Sequence, residues 1–127
     1  MEKKQPKICF FNSHKSWGGG EKWHYDAASY LAGNGWPVLL AADPKGELYK
    51  KTRNGHLEVC GVRISNLSFL NPVKLYKLVR FFWCNNIDTI VLNLPADLKV
   101  AGIAARLAGL EKIIYRRGVP FRSKILF

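Results

Sequence analysis

Three stretches of this 127-residue chain combine residue types that do binding chemistry. The first is Trp17-Gly18-Gly19-Gly20-Glu21, three glycines set directly before a helix-length amphipathic stretch. Glycine lets a backbone approach a ligand closely, and a helix N-terminus offers free N–H groups at the positive end of its dipole. The combination suits a phosphate or a sugar hydroxyl. It also suits a plain turn, where glycine only permits tight packing of helix on strand. The second stretch is Asn93-Leu94-Pro95-Ala96-Asp97. The Asn93 amide can hydrogen-bond a polyol or hold a turn, and Asp97 stands where it can cap the helix it enters. The third is Tyr115-Arg116-Arg117-Gly118. Arginine makes bidentate bonds to phosphate or carboxylate. Adjacent strand residues point to opposite faces, so one arginine at most turns toward a given crevice; the alternative is a solvated basic pair.

Other chemistries are disfavoured. The glycines fall at 18, 19 and 20, and position 23 is Trp, so no Gly-x-Gly-x-x-Gly dinucleotide motif is formed; no Gly-Lys-Ser/Thr follows, so there is no P-loop. His14, His24 and His56 are scattered, and no Ser-His-Asp or Cys-His set is legible. His14 sits in the first glycine-rich loop, as a base or as a solvated loop residue. Cys9, Cys60 and Cys84 lack metal-ligand spacing, and no metal or cofactor is expected. Odd, unclustered cysteines fit a reducing compartment and thiols packed in a core.

The balance of charge is stronger evidence. Lys plus Arg number 20 against 9 Asp plus Glu, a formal net charge of +11. Such a surplus favours anionic partners: nucleic acid, phosphorylated substrates or an acidic lipid surface. No apolar run approaches the roughly 18 residues of a membrane span. The apolar stretch after Lys7 is too short for a signal peptide, so the chain reads as cytoplasmic. Apolar residues are 48% and charged residues 23%, an ordinary globular composition and one domain's worth, residues 1–127.

These loops need a frame to bring them together. Short apolar runs alternate with amphipathic stretches. Ile8 to Phe11 reads as a buried strand, Glu21 to Ala32 as a helix with Trp23, Ala27, Tyr30 and Leu31 at helical spacing, and Val38 to Ala42 as the second strand. A short helix from Glu47 to Arg53 and a third strand from Leu57 to Ile64 follow. Asn71-Pro72 opens a helix to Cys84, with Leu75, Leu78, Val79 and Phe82 as its apolar stripe. Its other face carries Lys74, Lys77 and Phe81, with Arg80 and Trp83 nearby: a solvated flank, or basic and aromatic groups suited to a membrane interface. Ile87 to Leu92 is the fourth strand. Pro95 to Ala108 is a helix expected to turn Leu98, Ile103, Ala104 and Leu107 inward, and Lys112 to Tyr115 is the fifth strand.

The pattern predicts an α/β, Rossmann-like, doubly wound parallel sheet of five or more strands in the order 3-2-1-4-5. Ligands in such sheets bind outside the carboxyl ends of the strands where the order reverses, here between the first and fourth strands, and the three loops converge there. The tail from Pro120 to Phe127 is basic and apolar, without a helix stop, and reads as interrupted, half of a longer protein.

In that order and spacing the motifs resemble the N-terminal half of GT-B glycosyltransferases, in particular the large retaining group called family 4. Gly18-Gly19-Gly20-Glu21 is similar to its Gly-Gly-Ala-Glu signature, with Gly20 in the Ala place. Leu31 to Val38 is similar to its L-A-x-x-G-H-x-V stretch, with Trp36 for the usual His, and Ile87 to Val91 to its D-(I/V)-(I/V) strand. Asn93 to Lys99, Ala104 to Gly109 and Tyr115 to Gly118 resemble a bacterial subgroup of cell-envelope polysaccharide and lipopolysaccharide enzymes.

The resemblance implies two Rossmann-like domains with the active site between them. The N-terminal domain holds a saccharide or lipid-linked acceptor; the C-terminal domain, absent from this chain, holds the nucleotide-sugar donor. The isolated chain is then expected to be inactive. Gly18, Gly19, Gly20, Glu21, Asn93, Asp97, Arg116, Arg117 and Gly118 become the donor- and acceptor-binding candidates. The family needs no metal, because a helix dipole and basic side chains stabilise the leaving diphosphate. Many members carry a histidine on the loops of the fourth or fifth strand. Asn93 and Arg116-Arg117 stand there instead, so no general acid or base is assigned. Peripheral contact with the cytoplasmic face of an acidic inner membrane is expected, and specific nucleic-acid binding is not. The alternative is a non-enzymatic basic module that binds nucleic acid or another anionic ligand.

Overall fold

The structure, a computed structural model, describes residues 6–53, 55, 57–63 and 71–116. Along the chain run β1 (Ile8–Asn12), α1 (Gly19–Gly33), β2 (Val38–Ala42), α2 (Glu47–Arg53), β3 (Glu58–Gly61), α3 (Pro72–Cys84), β4 (Thr89–Leu92), α4 (Pro95–Ala108) and β5 (Lys112–Tyr115). The strands form one parallel sheet in the order β3-β2-β1-β4-β5, the order expected. Ile8 pairs with Val38 on one side and Thr89 on the other, and the register continues to Asn12 beside Ala42.

The unbroken apolar runs explain the layering. β2 and β4 are buried throughout, and β1 from Cys9 to Asn12. A strand covered on both faces needs apolar side chains on both. Phe10, Leu40, Ala42 and Val91 meet α1 and α2 through Ala28 and Leu48. Cys9, Phe11, Leu39, Ala41, Ile90 and Leu92 meet α3 and α4. There Leu78, Val79 and Phe82 lie against Val100, Ala101, Ala104 and Ala105. Small residues on α4 let the two helices approach closely, so the sheet carries a helical layer on each face.

Local signals fix the helix ends. The Asn71 side chain accepts hydrogen bonds from the N–H groups of Val73 (3.0 Å) and Lys74 (3.3 Å), with Pro72 at the first helical position. Several expectations need correction. α1 begins at Gly19, not Glu21, so Gly19 and Gly20 belong to its first turn. Ile103 and Leu107 face out from α4, because the helix buries its small residues instead; Tyr30 likewise faces out from α1, which buries Glu21, His24 and Ala28. Of the thiols only Cys9 is fully buried; Cys60 is half-buried and Cys84 exposed. β3 ends at Gly61, and Ile64 lies outside the described residues, as do His56 and the tail from 117 to 127. Among the described residues no helix is long and apolar enough to cross a membrane.

Candidate functional site

The carboxyl ends of β1, β4 and β5 bring together Gly18, Gly19, Gly20, Glu21, Asn93, Asp97 and Arg116. Arg117 and Gly118 lie outside the described residues. The first loop leaves β1 at Asn12, which is wholly buried and became visible only with the fold. Its Oδ1 accepts a bond from the His14 N–H at 2.9 Å, an Asx turn that starts the loop. Its Nδ2 donates to Glu21 Oε2 at 3.1 Å. The other Glu21 oxygen lies 3.5 Å from His14 Nδ1, which also lies 3.2 Å from the Ser16 carbonyl. Glu21, only 3% exposed, thus ties strand end, loop and helix start together.

Asp97 pins the loop from the opposite side. One carboxylate oxygen accepts from the Ser13 N–H at 2.9 Å, and the other accepts a short bond from the Ser13 hydroxyl. Asp97 therefore does not cap α4, whose N-cap is Leu94, without a side-chain bond. Burial pushes its carboxyl up to about 6; the Ser13 bonds and His14 oppose the shift, and the Glu21 charge adds to it. A third tether comes from the Glu47 N–H, which donates to the Lys15 carbonyl at 3.0 Å.

With the loop held on three sides, the start of α1 is left open. Gly18 is the N-cap and carries no side-chain cap; its carbonyl accepts from the Lys22 N–H at 3.0 Å. The first-turn N–H groups have no partner within the helix, which leaves donors for an anion or a hydroxyl. Asn93 packs on this turn. A Cβ on Gly20 would lie 2.0 Å from Asn93 Nδ2, far inside contact distance, so position 20 requires glycine while Asn93 keeps this orientation. Asn93 is 8% exposed, and its Oδ1 has no hydrogen-bond partner.

One turn further along α1, His24 is wholly buried, with neither ring nitrogen partnered. Its ring packs against Phe10 and Trp23 at centroid distances of 5.6 and 5.5 Å. Burial, reinforced by the Arg116 charge, pushes its pKa down to about 4, so it is neutral near pH 7. Arg116 stacks its guanidinium over Trp23 at 4.4 Å, and its N–H donates to the Leu92 carbonyl at 2.7 Å. A stacked guanidinium keeps its edge donors for a planar anion. Sequence reading missed Asn12, Ser13 and this part of His24's surroundings; the Asn-Ser pair closing an apolar run was the available signal. Among the described residues no group of three or more His, Cys, Asp or Glu side chains could hold a metal ion.

No family model and no curated protein matches the chain. Solved structures do. MurG of Acinetobacter baumannii superposes with a TM-score of 0.70 at 15% identity, over 89% of this chain and 35% of its own. A glycosyltransferase of Rickettsia africae ESF-5 superposes with a TM-score of 0.68 at 16% identity, over 87% of this chain and 29% of its own. The chain spans about a third of the length of these structures. At such identities the likeness is one of fold, and the fold is the Rossmann-like α/β architecture found in these GT-B glycosyltransferase structures.

Proposed function

We propose that this chain is the acceptor-side domain of a glycosyltransferase, which moves a sugar from a nucleotide-sugar donor to a saccharide or lipid-linked acceptor. The observation that carries the reading is the uncapped start of α1, against which the Asn93 amide packs at Gly20, with Arg116 stacked on Trp23 of the same helix, at the point where strand order reverses. Free N–H donors and a guanidinium favour developing negative charge on a leaving diphosphate, and Asn93 offers an acceptor for a sugar hydroxyl. A second, donor-holding domain would complete the site, with a hexosyl or heptosyl group, retention at the anomeric carbon, no metal and a cell-envelope glycan as the finer expectations. Glu21 and Asp97 act on this reading through the loop that they hold.

The test is an amide NMR titration of the 127-residue chain with inorganic diphosphate and with free hexoses. Shifts confined to Gly18–Glu21, Asn93 and Arg116, and weakened by Arg116→Ala, are expected. Shifts absent from these loops, or unchanged in Arg116→Ala, would overturn the reading.

A further inference from the structure

We propose that the cleft between the first loop and α2 is a saccharide subsite, built for a sugar that carries a carboxylate or a phosphate. It rests on the reading above, because it names the acceptor left open there, and it adds residues of α2 that have no part in that reading. The cleft, of about 300 Å³, is lined by Trp17, Glu47, Lys50 and Lys51. Small-molecule sites span roughly 300–1,000 Å³, so this one suits a single sugar ring. Trp17 precedes Gly18, the N-cap of α1, so the cleft opens one residue from the free helix start.

The two walls are held together by backbone. Gly46, just before α2, lies against the first loop: a Cβ there would come within 2.9 Å of the His14 carbonyl oxygen and 3.1 Å of the Lys15 Cα. This close approach brings Trp17 beside α2 without burying it. The indole stays 37% exposed, edge-to-face with Tyr25 at 6.4 Å. The Lys51 ammonium lies over the Trp17 ring, 5.0 Å from its centroid. An aromatic face holds a cation in place without neutralising it, so the ammonium keeps its charge and its N–H donors for a ligand. Lys50 lies 4.0 Å from Glu47, and both side chains are exposed. Such a pair is weak and opens readily toward a ligand.

Each of these groups fits one part of an acidic sugar. The indole surface that Lys51 leaves uncovered offers an apolar platform to the C–H face of a pyranose. Lys51 and Lys50 give charge-assisted bonds to a carboxylate or phosphate. The Glu47 carboxylate accepts from ring hydroxyls, which a bare anion does not supply. A carboxylate on the rim also penalises a run of phosphates. The cleft therefore favours one anionic group on a hydroxylated ring over a nucleic-acid strand.

The experiment is an NMR titration of the 127-residue chain with glucuronate, glucose 6-phosphate, glucose, acetate and inorganic phosphate. It reads the Trp17 indole N–H and the backbone amides of Glu47–Lys51. Two patterns are expected, and they tell a uronate from a phosphorylated acceptor. Either glucuronate binds roughly ten-fold tighter than glucose or acetate, or glucose 6-phosphate binds roughly ten-fold tighter than glucose or inorganic phosphate. Lys51→Gln should remove most of the preference over glucose, and Trp17→Ala most of the preference over the free anion. Lys112→Gln, the same loss of charge at the amino end of β5, should change nothing.

Equal affinity for glucose, equal affinity for the free anion, or no binding would overturn the proposal. So would equal losses in Lys112→Gln and Lys51→Gln. Tighter binding of a single-stranded oligonucleotide at the same signals would make the ligand nucleic acid and overturn it too. Circular dichroism checks that each variant is folded, and Lys51→Gln, on an exposed side chain, decides alone if Trp17→Ala is not. Inorganic diphosphate separates the two readings. Diphosphate shifts at Gly18–Glu21 and Arg116, with none at Trp17 from acidic sugars, overturn this proposal alone. Acidic-sugar shifts at Trp17, with none from diphosphate, uphold the sugar site and overturn the reading of the strand ends.

Discussion

The two helical layers are built on opposite plans. The α1/α2 layer turns polar groups inward: Glu21, His24 and Thr52 are buried among apolar side chains. Outside, it sets acids beside some of its cations, Lys22 with Asp26 at 2.6 Å and Lys50 with Glu47 at 4.0 Å, while Lys51 lies over the Trp17 ring. The α3/α4 layer turns only one charged group inward, Asp97, and fills the rest of its inner face with Leu, Val, Phe, Ala and Gly102. Outside, it carries Lys77, Arg80 and Arg106 among large apolar groups. Buried polar groups cost free energy unless bonded, so a layer accepts them where they position something. The contrast is one of content: the first layer buries polar side chains, and the second, Asp97 apart, buries apolar ones.

The contrast can be broken by mutation, and the largest effect should come from adjacent residues of α3. Phe82 is 1% exposed and its neighbour Trp83 58%. Phe82→Ala should lower stability by about 3–5 kcal/mol. Trp83→Ala should cost under about 1.5 kcal/mol, the loss of an exposed hydrogen bond to the Ala108 carbonyl. Urea midpoints decide, and equal losses would mean that the outer face of α3 is structural.

Asp97 comes next. Asp97→Ala leaves the Ser13 N–H and hydroxyl without their partner, at about 2–3 kcal/mol. The folded state holds a proton on Asp97 up to about pH 6, against the ordinary 3.8. Stability contributed by this group is therefore greatest in acid and is lost as pH rises from 3.8 toward about 6. Asp97→Asn should remove that slope. A wild-type-minus-variant stability difference that stays flat across this window would refute the assignment.

A smaller effect is expected at the open helix start. Gly20→Ala gains helix propensity yet drives Cβ into Asn93, so a net loss of about 1 kcal/mol should result. In the Asn93→Ala background the same change should be neutral or stabilising. A double-mutant cycle without coupling would show that the two residues do not share this contact. Smallest of all, Ile103→Ser should alter stability by less than about 0.5 kcal/mol, whereas Ala104→Leu, one residue along α4, should cost about 1–3 kcal/mol by overpacking.

Much of the frame was legible in the residues. Apolar runs such as Val38–Ala42, short and bounded by turn residues, fit strands covered on both faces, and the handedness of crossovers then narrows their order. What stayed illegible depended on partners distant in sequence. Asp97 stands at the third position of its helix, where caps and loop anchors look alike; its partner Ser13 is 84 residues away. In α4 the apolar positions cover most of the circumference, so periodicity could not tell Ile103 from Val100; the close approach of α3 decides for the small residues. Gly19 and Gly20 read as loop because glycine disfavours helix interiors, a cost that falls away in a first turn facing another side chain. The converging loops were foreseen, but not that Glu21 and Asp97 would spend their oxygens on the loop itself.

The strand order also has a meaning in time. A chain synthesised from its N-terminus completes β1, β2 and β3, with α1 and α2, by Gly61. One face of the nascent sheet is then covered, while Cys9, Phe11, Leu39 and Ala41 on the other await α3 and α4. β1, destined for the centre, remains a free edge until β4 arrives. At roughly 5–20 residues per second the interval between Gly61 and Leu92 lasts a few seconds, during which that apolar face and the β1 edge have no native partner.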